Sequence, residues 1–222
     1  YKNDPRAVIQ NIADDSLVLE MKKEYAGDVV TALIRMDGIT VGCVGNQEDT
    51  ITTAGAYKAE EFVDFCDAFN IPVLTLTNVE GYATSVEEET TIATAAAKLT
   101  AAFVEADVPK VNLIVGKAYG SAYITMNSKH IGADMVFALP TAQIGMMDAN
   151  VAAKIMYADD KDVNLSEKAS EFAAQSGTEA AAARGYIDSV IEPEAARKQV
   201  LYAFEMLFTK SEYPIGKKHG TI

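Results

Sequence analysis

The chain has 222 residues, 49 % of them hydrophobic and 23 % charged, which is long enough for one large domain with a full hydrophobic core. Its formal net charge of −13 argues against nucleic acid and anionic membrane surfaces as partners. No apolar run approaches the roughly 18 residues of a membrane helix, and the N-terminus lacks the apolar stretch of a secretory signal. We therefore expect a cytoplasmic protein without membrane insertion.

The first third of the chain predicts a helix, a hairpin and a second helix. Asp37-Gly38 joins two β-rich runs and is typical of a type I′ hairpin turn. After it, apolar residues recur at three- and four-residue spacing, as on an amphipathic helix. The predicted elements are a helix over 4–14, strands over 28–36 and 39–46, and a helix over 57–69.

The remaining two thirds alternate between apolar runs and helical periodicity. The predicted elements are strands over 72–79, 110–115 and 134–139, helices over 87–106, from Ser121, over 148–157, 166–175 and 194–209, and a short unit over 183–193. Strands alternating with helices predict parallel βαβ units, hence an α/β core in one domain. Neither a GxGxxG sequence with a following acid nor a P-loop is present, which disfavours nucleotide binding by those routes.

The cysteines and histidines indicate neither a disulfide framework nor a metal site. Cys43 lies in an apolar strand and Cys66 on the apolar stripe of a helix, so both are predicted to be small buried hydrophobes. His130 and His219 are too few and too far from paired acids to suggest a metal site, so no metal is expected.

Two strand ends stand out, "TNVEGYATS" and "KAYGSAYIT". If their strands are neighbours, both turns lie at the carboxyl edge of the sheet, where open α/β folds bind ligands. Gly120, Ser121 and Ala122 give little side-chain cover at the start of a helix, so free N–H groups and the helix dipole point at one spot. Such a turn stabilises an oxyanion, with Gly81 as a second donor from the facing turn. The alternative is that small residues only permit tight helix–strand packing.

Several longer segments point to a family. They are "DGITVGCVGNQ", "KAEEFVDFCDAFNIPVLTLTNVEGY", "VPKVNLIVGKAYGSAY", "SKHIGADMVFALPTAQIGMM", "AAARGYIDSVIEP" and "KKHG". In this order they resemble the C-terminal half of the biotin-dependent carboxyltransferases, such as the β subunit of propionyl-CoA carboxylase and the α subunits of biotin-dependent decarboxylases. The resemblance implies a crotonase/ClpP-like spiral of ββα units. Residues 1–222 would form the C-terminal domain, without the family's N-terminal half.

The resemblance also implies an activity and partners. Family members move a carboxyl group between N1 of biotin, carried on a separate biotin carboxyl carrier protein, and the α-carbon of an acyl-CoA. The protein stabilises two oxyanions and supplies no acid or base, which accounts for the bare turn. The N-terminal half of an opposing subunit holds the CoA thioester, so the active site lies at a dimer interface, and the usual assembly is a trimer of dimers.

Site residues carry over by position. The resemblance places the oxyanion hole at Gly120, Ser121 and Ala122, and biotin or substrate contacts at Gly81, Tyr82, Tyr119, Tyr123 and Ile124. The chain departs from the family pattern where Ser121 replaces a glycine and where Glu80 precedes Gly81. Ile124 occupies a position that varies between an acid and an apolar group, and an apolar residue there suits a short or medium acyl chain.

Other functions stay open at this point. Ser121 would be the nucleophile of a ClpP-like serine hydrolase, but His130 lies nine residues on along the same predicted helix, roughly 13 Å away, beyond hydrogen-bond reach. A non-catalytic assembly subunit or a fragment of a longer chain is the other alternative. Lys117 and Lys129 are either contacts for an anionic ligand or merely solvated.

Overall fold

The computed structural model describes residues 4–160 and 162–211. The "KKHG" segment and His219 lie outside the described residues. Within the described part the helices are α1 (Pro5–Ile12), α2 (Thr53–Ala68), α3 (Val86–Glu89), α4 (Ile92–Glu105), α5 (Gly120–Thr125), α6 (Ala149–Met156), α7 (Leu165–Gln175), α8 (Thr178–Ala183) and α9 (Ala196–Met206), with 3₁₀ turns at Asp14–Ser16, Lys129–Ile131 and Pro193–Ala195. The strands are β1 (Val18–Met21), β2 (Val29–Met36), β3 (Ile39–Asn46), β4 (Thr50–Ile51), β5 (Val73–Val79), β6 (Gly81–Tyr82), β7 (Lys110–Tyr119), β8 (Met135–Ala138), β9 (Gln143–Gly145) and β10 (Ser189–Val190).

Eight of these strands form one sheet in the order β1-β2-β3-β5-β7-β8-β10, with β9 also paired to β7. The β1/β2 and β2/β3 pairs are antiparallel, and every later pair of neighbours is parallel. The parallel βαβ arrangement predicted from the alternating pattern is thereby confirmed for the centre of the sheet. Strands β4 and β6 form a separate two-stranded parallel ladder.

The predicted hairpin between β2 and β3 is confirmed. Asp37 and Gly38 have φ angles of 49° and 77°, the left-handed pair that a type I′ turn requires. A residue outside the hairpin also holds the turn, because the backbone N–H groups of Asp37 and Gly38 both donate to the Asp14 carboxylate at 3.1 Å. Arg197 on α9 donates to the same carboxylate at 2.6 Å and so ties the hairpin to the C-terminal helix.

The helix predicted over 87–106 is broken into α3 and α4 at residues 90 and 91. Side-chain bonds to the start of α2 accompany the break. Glu88 accepts a hydrogen bond from the backbone N–H of Thr53 at 2.7 Å, and the hydroxyls of Thr53 and Thr91 lie 2.9 Å apart. These bonds connect α3 and Thr91 to the start of α2. The apolar periodicity of residues 87–106 carries no information about such contacts, so it predicted one continuous helix.

Other boundaries also differ from the prediction, and several short elements were missed. Helix α2 begins at Thr53, four residues before the prediction, because the Thr52 hydroxyl caps it by accepting the N–H of Gly55 at 3.0 Å. Five short elements were not predicted, because they carry no clear periodicity of their own: β1, β4, β6, β9 and α8.

The hydrophobic core lies in two layers, one on each face of the sheet. The layer under α2, α4 and α5 contains Leu99 and Phe103, and the layer under α1 and α9 contains Ile9 and Val200, all fully buried. Cys66 belongs to the first layer and Cys43 to the second, and both are free thiols. Both side chains are fully buried in the core, as predicted, and burial raises the pKa of Cys66 to about 12.

Candidate functional site

The two unusual strand ends meet at one edge of the sheet. Strands β5 and β7 are adjacent and parallel, and Val79 pairs with Ala118. Because the carboxyl ends of parallel strands lie at the same edge, the turn at Gly120 and the segment at Gly81 are neighbours there. The two strands are therefore neighbours, as the predicted site at these turns required.

Position 120 accepts only glycine without strain. Gly120 has a φ of +58°, and a Cβ at this position would lie 3.2 Å from the backbone oxygen of Met146. Helix α5 starts here, directly after the extended residue Tyr119, and no side chain caps its first turn. The first N–H groups of an α-helix have no acceptor within the helix, so those of Gly120, Ser121 and Ala122 remain for other partners. Ser121 is exposed and Ala122 buried.

Two of the predicted aromatic contacts are buried beside this turn. The Tyr119 hydroxyl donates to Oε1 of Gln143 on β9 at 2.5 Å, and burial raises its pKa. Tyr123 is only 4 % exposed, and burial raises its pKa to about 12, so it stays protonated at neutral pH. Its ring meets His130 edge-on, with 6.1 Å between the ring centroids. Both tyrosine side chains are therefore buried next to the start of α5, and their contact with biotin or substrate stays a prediction.

The segment at Gly81 differs from the open turn that was predicted. Gly81 and Tyr82 form strand β6, which pairs with Thr50 and Ile51, so the backbone here is part of a ladder. The Tyr82 hydroxyl is hydrogen-bonded to the Thr125 hydroxyl at the end of α5. That bond joins β6 to the C-terminal end of α5. The role of Gly81 as a second oxyanion donor stays a prediction.

The two lysines near the site have protein partners. Lys117 on β7 forms an ion pair with Glu80, the residue that departs from the family pattern. Lys129 donates to Asp188 at 2.8 Å and to the backbone oxygen of Asp134 at 2.9 Å. Each lysine already pairs with a carboxylate at the partly exposed surface, and a contact of either with an anionic ligand stays a prediction.

The serine hydrolase geometry assumed one helix from Ser121 to His130, and that assumption is wrong. Helix α5 ends at Thr125, Asn127 takes a φ of +55°, and His130 lies on a separate 3₁₀ turn. The Asn112 side chain holds this bend by donating to the backbone oxygens of Met126 and Asn127 at 3.1 and 3.0 Å. His130 instead packs against Tyr186, with 4.9 Å between ring centroids.

Exposed apolar side chains occur at Met146, next to the turn, and along the helix α6 that follows it, and they were not predicted from the sequence. Met146, whose backbone oxygen faces Gly120, is 82 % exposed. Along α6, Val151, Ile155 and Met156 are 46, 60 and 68 % exposed. Val151 and Ile155 are four residues apart and so share one helix face, a spacing visible in "NVAAKIM". We call Met146, Val151, Ile155 and Met156 the α6 apolar surface.

Residues 4–160 and 162–211 contain no candidate for a metal site or a membrane-spanning helix. No group of three or more His, Cys, Asp or Glu side chains among them is arranged to hold a metal ion. None of the helices in this part of the chain combines the length and the apolar character needed to span a membrane.

Comparison with known proteins identifies the family. The model of the carboxyl transferase domain matches residues 2–222. The chain is 41 % identical over 233 residues to a putative propionyl-CoA carboxylase β chain of Bacillus subtilis, covering 99 % of this chain and 46 % of that protein. It is 40 % identical over 229 residues to the methylmalonyl-CoA carboxyltransferase 12S subunit of Propionibacterium freudenreichii subsp. shermanii, covering 98 % of this chain and 44 % of that protein. This chain belongs to the carboxyl transferase family.

Solved carboxyltransferase structures confirm the crotonase-like fold. The transcarboxylase 12S hexamer with hydrolysed methylmalonyl-CoA bound matches at a TM-score of 0.93 and 41 % identity, over 98 % of this chain and 44 % of that one. The geranyl-CoA carboxylase β subunit of P. aeruginosa matches at 0.87 and 26 % identity, over 100 % and 45 %. This carboxyl transferase chain thus spans a little under half the length of these relatives.

Proposed function

We propose that this chain is the biotin-holding half of a biotin-dependent acyl-CoA carboxyltransferase. In this proposal residues 1–222 form the C-terminal domain, and the enzyme moves a carboxyl group between N1 of biotin and the α-carbon of a short acyl-CoA. The observation that carries the proposal is the uncapped first turn of α5, entered through a glycine with φ of +58°. The family membership supplies the reaction.

The residues of the turn fit biotin in its oxyanion form. Biotin accepts and releases the carboxyl group at its ureido nitrogen, with negative charge on the ureido oxygen. Backbone N–H groups at a helix start stabilise such charge without proton transfer. No Asp, Glu, His or Cys lies in "AYGSAYI", and the nearby Tyr123 has a pKa of about 12, so the turn offers donors and no base. Tyr82, Tyr119 and Ile124 complete the proposed contacts.

The proposal includes partners, namely a biotin carboxyl carrier protein and an N-terminal carboxyltransferase half on the same or another chain. The α6 apolar surface supports the second of these, because exposed apolar side chains that adjoin a site mark an interaction surface. The relatives are also more than twice as long as this chain. A cytoplasmic location belongs to the same proposal, since both cysteines are free thiols, as in reducing compartments.

Substitution of Ser121 tests the site. We expect Ser121→Phe to abolish biotin-dependent carboxyl transfer by the assembled enzyme, because the bulky ring would cover the N–H groups. Ser121→Ala keeps those groups and should keep the rate within a few-fold, whereas a serine hydrolase would lose all activity. Ser189→Phe, at an exposed position on β10, is the matched control for solubility. Full turnover by Ser121→Phe would refute the assignment of the turn.

A tagged pull-down from native cells tests the partners. Streptavidin should detect a biotinylated protein, and a second carboxyltransferase chain should be present if the N-terminal half is a separate chain. Recovery of this chain alone under gentle conditions would instead favour a non-catalytic or isolated domain.

A further inference from the structure

A β-bulge interrupts the ladder between β5 and β7 shortly before the candidate site. Pairing runs in steady register from Val73↔Lys110 to Thr77↔Ile114, then resumes at Val79↔Ala118. One residue of β5, Asn78, thus faces three residues of β7. Bulges next to active sites commonly re-aim the chain that follows, and here that chain is the turn at Gly120.

The side chain of Asn78 fills the bulge. Its Oδ1 accepts the backbone N–H of Lys117 at 2.8 Å, in place of the carbonyl that a regular ladder would supply. A Cβ on residue 116 would lie 2.2 Å from that same oxygen, so only Gly116 leaves room for it. The amide oxygen therefore holds β7 at a point three residues before Gly120.

A second amide fixes Asn78 in turn. Asn46, at the end of β3 and 4 % exposed, accepts the backbone N–H of Asn78 at its Oδ1, at 2.8 Å. Its Nδ2 donates to the backbone oxygens of Asn78 and Glu48, the latter at 2.8 Å. The two side chains thus form a continuous set of hydrogen bonds across β3, β5 and β7.

We propose that Asn78 is a positioning residue that sets the direction of the Gly120 turn by holding the backbone N–H of Lys117. It contacts no reacting atom, and the inference rests on the proposed function of the turn. Substrate binding on the other half of the enzyme should not depend on it. Asn is uncommon within strands, which makes its position in the middle of "LTNVE" a signal in the sequence.

The test compares Asn78→Leu with Asn78→Asp in the assembled enzyme. Leucine has a similar shape but no acceptor, so kcat should fall about 10²-fold, the effect of a small misplacement of catalytic groups. The KM for acyl-CoA should stay unchanged. Aspartate keeps an oxygen at the same place and should restore kcat to within a few-fold of the wild type. Hydrogen exchange should accelerate at residues 117–122 in Asn78→Leu only.

Val200→Ala is the control for a general loss of stability. It removes buried volume from the core layer under α9 and should lower the melting temperature while leaving kcat unchanged. The inference is overturned if Asn78→Leu retains kcat, if Asn78→Asp falls equally far, or if KM rises in step. Should Ser121→Phe keep full turnover, the proposed function fails by itself. The hydrogen-exchange comparison then still decides whether Asn78 holds the turn.

Discussion

Replacing Gly120 by alanine perturbs the candidate site through the backbone. The residue has a φ of +58°, where an L side chain is strained, and its new Cβ would lie 3.2 Å from the backbone oxygen of Met146. That oxygen belongs to backbone, so the contact is relieved only if the segment before α6 or the turn itself moves by a few tenths of an ångström. Both effects act on the start of α5.

The expected magnitudes follow from these two effects. The left-handed conformation costs an L residue roughly 1–2 kcal/mol, and the close contact adds to that. In a chain of this size each kcal/mol lowers the melting temperature by roughly 2–4 °C. Displacing the N–H groups of the turn should also reduce the rate of carboxyl transfer, by about 10²-fold.

Gly38 provides a matched control in the same chain. It has a φ of +77°, and a Cβ added there would meet nothing within 4 Å, so Gly38→Ala carries the backbone strain alone. Thermal unfolding of both variants, together with turnover by the assembled enzyme, separates strain from contact. Equal losses of melting temperature with full turnover in both would refute the argument that the Gly120 turn is held against Met146.

Three further predictions concern stability. Phe103→Ala, which empties a fully buried site, should lower the free energy of unfolding by about 3–5 kcal/mol in denaturant titrations. The hydrogen bond from Arg197 lowers the pKa of Asp14 to about 2, so the ionised carboxylate stabilises the fold above its unfolded pKa of roughly 4 and loses this effect as the pH falls towards 2. The difference in melting temperature between the wild type and Asp14→Asn should therefore shrink below about pH 4. A difference that stays constant with pH would contradict this prediction. Lys117→Met should change the free energy of unfolding by less than about 1 kcal/mol, because the side chains of Lys117 and Glu80 are 40 and 39 % exposed and solvent screens their ion pair. A larger decrease of this free energy in urea titrations would show that the pair is not screened.

Local chemistry in the sequence was sufficient for the elements at the centre of the sheet. Asp37-Gly38 specifies its own hairpin because both residues tolerate positive φ, and the structure confirms it. The apolar runs that became β5 and β7 alternate with helical periodicity, and this alternation predicted parallel strands, which the structure confirms. The bare turn after β7 was visible for the same local reason, namely that Gly-Ser-Ala offers almost no side-chain cover.

Contacts between distant residues decided what the sequence could not. The break between α3 and α4 accompanies bonds from Glu88 and Thr91 to Thr53, and α5 stops short of His130 at a bend to which Asn112 is bonded. Each depends on partners from 14 to 38 residues away, which no local period encodes.

The amino-acid sequence was sufficient to predict the family, the alternation of strands and helices, and the small residues of the Gly120 turn. It could not show how that turn is held, because this depends on tertiary contacts. Two contacts hold the turn, and each joins the ends of separate strands. The backbone oxygen of Met146 lies close to Gly120, and the backbone N–H of Lys117 donates to Asn78. The direction of a strand end depends on how neighbouring chains pack against it, and that packing exists only once the sheet has formed.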